Sequence, residues 1–158
     1  MKYLKVVCKN TVNASPEVIK WNSWDGEHLS SVHSAYSNPR TLYSSPNNLL
    51  FLDNIKIPYL PLKLSSLVFT AQNSEFEQVS YTKNPFFLAK NSIKIFKQNH
   101  KISIVEVTYE FEANFIVSLF FPIIKRQIIK WNNTVWIEDL PLKLRRQKAL
   151  EYGFKDWI

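Results

Sequence analysis

Glycine is almost missing from this 158-residue chain, which has only Gly26 and Gly153. Phosphate-cradling loops of the P-loop or dinucleotide type need several glycines for close backbone approach, so nucleotide-dependent enzymes of those classes are excluded. Cysteine is scarcer still. Cys8 alone permits neither an internal disulfide nor a Cys-rich zinc or iron–sulfur site, which fits a reducing cytoplasm. It is expected to be a small buried residue. Long hydrophobic runs are also lacking. The most apolar stretch, 115–124, is interrupted by Pro122 and followed by Lys125 and Arg126, well short of the roughly 20 residues of a membrane span. The N-terminal segment has no apolar core of signal-peptide length. No serine lies in a nucleophile-elbow pattern, so hydrolase chemistry finds no support.

Apolar residues nevertheless make up 46% of the chain and aromatics 15%, enough for one packed, soluble domain over 1–158. Net charge is +7. The basic residues are spread out, with one denser cluster at Lys143, Arg145, Arg146 and Lys148. A solvated helix face is the first reading of that cluster and a docking patch for an acidic partner the second. No basic–aromatic interleaving of the RNA-recognition kind occurs, so no nucleic-acid partner is expected.

Residues 2–12 read as a strand. Ser15-Pro16-Glu17 then opens a helical region: Ser15 caps, Pro16 suits the first helical position and Glu17 favours the positive helix end. It runs through Val18, Ile19, Trp21 and Trp24 to about His33, and Asn38-Pro39 closes it. Strand-like segments follow at Arg40–Tyr43, Leu49–Ile57, Leu67–Gln72, Glu77–Thr82, Ser92–Lys97 and Ile102–Phe111, separated by Pro, Asn and Ser turns. In the last, Val105, Val107, Tyr109 and Phe111 alternate with Glu106, Thr108, Glu110 and Glu112, so one sheet face meets water. The period then changes. Val117, Phe120, Phe121, Ile124, Ile128, Trp131 and Val135 recur at three- and four-residue steps, the mark of an amphipathic helix. Pro141 kinks or restarts that helix, which ends near Gly153.

The sharpest local pattern is D-x2-H-x4-H at Asp25, His28 and His33. Imidazoles with a carboxylate suit Fe(II) and leave positions open for oxygen and substrate. Five residues turn about 140° on an ideal helix, so His28 and His33 share a site only where the helix is distorted or has ended. Asp139 continues the apolar stripe of Trp131 and Val135. A carboxylate there calls for a partner or a metal, unless it caps a segment restarting at Leu140-Pro141. Glu138 competes as a ligand but reads as a solvated residue. His100 falls in an exposed turn. Trp21, Trp24, Trp131 and Trp136 read as core or cavity wall.

This element order resembles the START/Bet v1-like (SRPBCC) superfamily over essentially the whole chain. The resemblance implies an α+β helix-grip fold: a curved antiparallel sheet around a long C-terminal helix, with two short helices after the first strand. It also implies a small hydrophobic ligand between sheet and helix, with Phe69, Phe86, Phe87, Phe111, Phe120 and Trp131 as lining residues. The segment 24–33 further resembles the iron motif of Rieske-type ring-hydroxylating oxygenase catalytic domains. That likeness implies His28, His33 and Asp139 as ligands to Fe(II), Asp25 and His28 as catalytic residues with Asp25 bridging toward an electron source, and an acidic electron-donor protein docking at Lys143–Lys148. The chain departs from those enzymes in lacking the cysteines and the room for a Rieske cluster. Two other readings stay open: a metal-free carrier of a lipid-like molecule, and a polyketide cyclase or dehydratase using His28 or His33 as general acid/base.

Overall fold

A computed structural model of the chain describes residues 2–24, 32–33, 40–45, 47–56, 63–83, 88–113 and 115–154. Among them are seven strands and three helices. The elements are β1 (Lys2–Val12), α1 (Pro16–Trp24), β2 (Arg40–Ser45), β3 (Asn48–Lys56), β4 (Lys63–Ser74), β5 (Glu77–Lys83), β6 (Leu88–Lys97), β7 (Ser103–Ala113), α2 (Phe115–Leu119) and α3 (Phe121–Glu151). The strands form one curved antiparallel sheet in the order β1-β7-β6-β5-β4-β3-β2. Every neighbour in that order is consecutive in sequence except β1, which pairs with β7 along its whole length, from Lys2 opposite Ala113 to Val12 opposite Ser103. With α3 beside the sheet, this is the expected helix-grip architecture.

The two faces of the sheet follow from the strand period of two. Cross-strand register puts Val6, Tyr109 and Asn91 side by side on the concave face, and continues through Ser80 and Thr70 to Leu49. The opposite face carries charge at its β1–β7–β6 end. There Lys9 pairs with Glu106 at 2.9 Å, and Glu110 lies 3.9 Å from Lys5 and 3.5 Å from Lys90. Such exposed pairs contribute little to stability but leave that face wet.

The main core lies where the two ends of the chain meet. Val6, Cys8 and Val12 of β1, Val18 and Ile19 of α1, and Val105, Val107 and Tyr109 of β7 are buried together. Phe121, Ile128, Trp131, Trp136 and Leu150 of α3 pack onto them. Trp131 meets Tyr109 edge-on at 5.8 Å between ring centroids. Cys8 is buried and free, as its composition suggests.

Ser15 caps α1 as expected, its Oγ accepting the Val18 amide at 3.4 Å. At the other end of the chain, α3 differs from expectation at Pro141, which neither ends nor restarts it: the helix runs unbroken for 31 residues. Pro141 leaves the carbonyl of Ile137 without its helical donor, and Ile137 and Pro141 are both exposed, so that carbonyl lies on the solvent side where it costs least. The alternative reading of Asp139 as a cap is thereby overturned, because the residue sits inside a helix. The helix stops where expected. Gly153 takes φ +85°, the Phe154 amide donates to the Ala149 carbonyl and the Gly153 amide to Leu150, a Schellman closure.

Candidate functional site

Beyond Trp131 the inward stripe of α3 keeps its three- and four-residue step but turns polar: Asn132, Trp136, Asp139, Lys143, Arg146 and Gln147. Asp139, Arg146 and Gln147 of this stripe meet α1 and its cap, where Asn22 follows Val18 and Ile19 on the same helical face. Asn22 Nδ2 donates to Asp139 Oδ2 at 3.0 Å, and Arg146 Nη1 donates to Asn22 Oδ1 at 2.9 Å. Lys143 Nζ lies 3.0 Å from the same Asp139 oxygen. Gln147 Oε1 accepts the Ser15 amide at 2.7 Å, tying the start of α1 to the end of α3.

The two cations also meet aromatic faces. The Lys143 ammonium stands 3.5 Å from the Trp136 ring centre, and the Arg146 guanidinium 3.1 Å from that of Trp21. Both are almost fully buried, with relative exposures of 2% and 6%. Reading this cluster as a solvated face or a docking patch for an acidic electron donor is therefore corrected. Arg145 and Lys148 are exposed, but Lys143 and Arg146 point inward and serve the α1–α3 junction.

His33 enters the same cluster. Its Nε2 lies 3.2 Å from Asp139 Oδ1 and its Nδ1 3.3 Å from Glu138 Oε2. Glu138 is thus engaged rather than merely solvated. Burial alone would lower the His33 pKa, but the hydrogen bonds and charges of Asp139 and Glu138 outweigh it and raise the value. For Lys143 the balance falls the other way. Burial dominates, Asp139 offsets only part of it, Arg146 adds repulsion, and the pKa drops to about 8.

Asp25 and His28 lie outside the described residues, as do Phe86 and Phe87. Of the expected trio, His33 and Asp139 do meet inside the fold. The third expected ligand, His28, is not among the described residues, and what is described is an ion-paired cluster in which each nitrogen of His33 faces a carboxylate. Asp139 is already shared between an ammonium and an amide. Among the described residues no three His, Cys, Asp or Glu side chains converge on a metal position. A general base needs an open nitrogen, and in this arrangement both nitrogens of His33 face carboxylates.

The remaining lining residues separate by face. Phe111 and Trp131 pack beside the core. Phe69 is 39% exposed and sits on the opposite face from Val68 and Thr70, and Phe120 projects outward at the helix start. Neither lines the concavity.

What sequence reasoning missed is the concave wall formed by β3, β4 and β5. Leu49, Phe51 and Val68 make a second buried apolar cluster. Interleaved with them on the same face are Asp53, Ser66 and Thr70, all buried, and Ser80, whose hydroxyl lies 2.9 Å from that of Thr70. Among the described elements α3 packs chiefly on β1, and α1 packs on β6 and α3, so this wall is not where the described helices sit. Nearer α3, Asn132 Oδ1 accepts the Tyr109 hydroxyl at 3.0 Å and the Trp136 indole N–H at 3.3 Å. Asn132 Nδ2 is buried and meets no hydrogen-bond partner among the described residues. The interior is therefore apolar with a few placed donors and acceptors, the general make-up of a small-molecule site.

Among solved structures, the chain is similar in fold to a protein of Thermus thermophilus (TM-score 0.77, 11% identity, covering 90% of this chain and 99% of that one). It is similar too to the Zhui aromatase/cyclase of Streptomyces sp. R1128 (0.66, 8%, 94% and 95%) and to a START superfamily protein of Mycobacterium smegmatis (0.65, 14%, 92% and 98%). These identities establish the helix-grip fold of START/Bet v1-like proteins and nothing finer. No family model matches the chain, and no curated protein matches it in sequence.

Proposed function

We propose that the chain is a helix-grip binding domain, a metal-free holder of a small, largely apolar molecule that carries a polar group. The observation that carries this reading is the concave wall of Leu49, Phe51 and Val68 interleaved with Asp53, Ser66, Thr70 and Ser80. Apolar area supplies affinity, and scattered hydroxyls and a carboxyl fix orientation. Helix-grip proteins of the START/Bet v1-like type hold hydrophobic ligands between sheet and terminal helix, and the likeness in fold supports the same use of this concavity.

The test uses Nile red as a neutral apolar probe. Wild-type protein should bind it saturably, and Val68→Phe, which narrows the wall, should weaken binding by about tenfold while circular dichroism stays native; overpacking of this size costs about 1–3 kcal/mol. Equal binding by a folded Val68→Phe variant would sink the reading. A second reading, a cyclase or dehydratase, is favoured by one observation: Asp53 places a buried carboxyl on this same wall, a group able to move a proton. Turnover of a polyketide-like chain that survives chelators and disappears in Asp53→Asn would favour it over the carrier.

A further inference from the structure

The corner between sheet and long helix is unusually greasy. Phe115 and Leu119 of α2 are 68% and 62% exposed, and Phe120 and Ile123 at the start of α3 are 57% and 61% exposed. Single exposed apolar residues need no explanation, but four large ones within nine positions form a patch. Phe121 packs into the core between them, so the corner is anchored from below.

From residue 115 to residue 137 the sequence carries charge of one sign. Between Glu112 and Glu138 the sequence contains Lys125, Arg126 and Lys130 and no acid. All three cations are exposed. Arg126 and Lys130 follow Ile123 by three and seven residues, on its side of α3. The acids farther along α3, Glu138 and Asp139, turn inward to His33.

We propose that this corner docks on the surface of an anionic lipid bilayer, with the four apolar side chains entering the interface and Lys125 and Arg126 lying among the headgroups. A groove for a partner helix would recess its apolar side chains, whereas these are more than half exposed and project. The exposed Lys125 and Arg126 complement an anionic surface. The contact is peripheral, since no described helix is long and apolar enough to cross a membrane. The proposal stands apart from the ligand reading, because none of these residues belongs to the concave wall.

Cosedimentation with phosphatidylcholine vesicles, with and without about 30% phosphatidylserine, tests it at low salt, where surface electrostatics are strongest. The expected result is binding to the anionic vesicles only. Leu119→Ser/Ile123→Ser and Lys125→Glu/Arg126→Glu should each weaken that binding by about tenfold or more, while Lys83→Glu, an exposed cation on β5, leaves it within about twofold. Unchanged unfolding midpoints show that these surface variants still fold. Failure of the wild type to bind anionic vesicles, or equal binding by the corner variants, overturns the proposal. So does sedimentation equilibrium showing a dimer that Leu119→Ser/Ile123→Ser dissociates, which would assign the patch to a second copy of the chain.

Discussion

Asp139 is the residue on which the α1–α3 junction turns, because one carboxylate faces His33, Lys143 and Asn22 at once. Asp139→Asn would leave the buried Lys143 cation without the carboxylate that lies 3.0 Å from it. Breaking a buried ion pair from one side costs about 3–5 kcal/mol, and urea unfolding near neutral pH should show a loss of that size. Lys143→Met should cost less, since methionine keeps contact with Trp136 and removes a charge that burial disfavours. The same groups set a pH dependence. The His33 pKa is raised above 6.5, so its stabilising contribution is complete below that value and is lost as pH rises through the higher folded value. Lys143 is depressed from 10.5 to about 8, so the unfolded chain binds its proton more tightly across that range and stability recovers there. Stability should therefore dip above pH 6.5 and rise again beyond about pH 8, and Lys143→Met should remove only the rise. The Cys8→Ala background suits the measurement, because burial raises the thiol pKa and opposes that rise. Little of this was legible in the sequence. Asp139 announced itself as a carboxylate on an apolar stripe, but Lys143 and Arg146 looked like surface charge. The available clue was their spacing, which continues the inward period of Trp136 and Asp139.

Elements were easier to read than residues wherever one physical term governed them. Alternation placed β7 correctly because one set of its side chains stays buried while Glu106 and Glu110 on the other face meet Lys5, Lys9 and Lys90. Reading β6 from Ser92 missed Leu88–Asn91, residues with weak strand propensity that are held by register against Tyr109–Glu112 of β7. Long-range pairing leaves no local mark. Pro141 misled for the opposite reason: its local penalty is real, but the exposed position of Ile137 makes it tolerable. Gly153 was read correctly because the requirement is local. A Cβ there meets nothing within 4 Å, so Gly153→Ala tests the backbone alone. With φ at +85° it should lower stability by about 1 kcal/mol, seen as a shifted denaturant midpoint with unchanged slope.

For the whole molecule, the helix-grip architecture was legible from element order, because strand, short helix, antiparallel strands and long helix have few ways to bury their apolar sides. The concave wall of β3, β4 and β5 was not, since its residues are spread over three strands and only register puts Asp53 opposite Ser66. The closure of β1 on β7 carries a consequence for how the chain is made. About 90 residues separate Val12 from Ser103, and the core needs both strands together with α3. At ~5–20 residues per second, β1 emerges from a ribosome roughly 5–20 s before its partner exists. During that interval Val6, Cys8 and Val12 lack their β7 and α3 neighbours, so the main core closes only once α3 has been made.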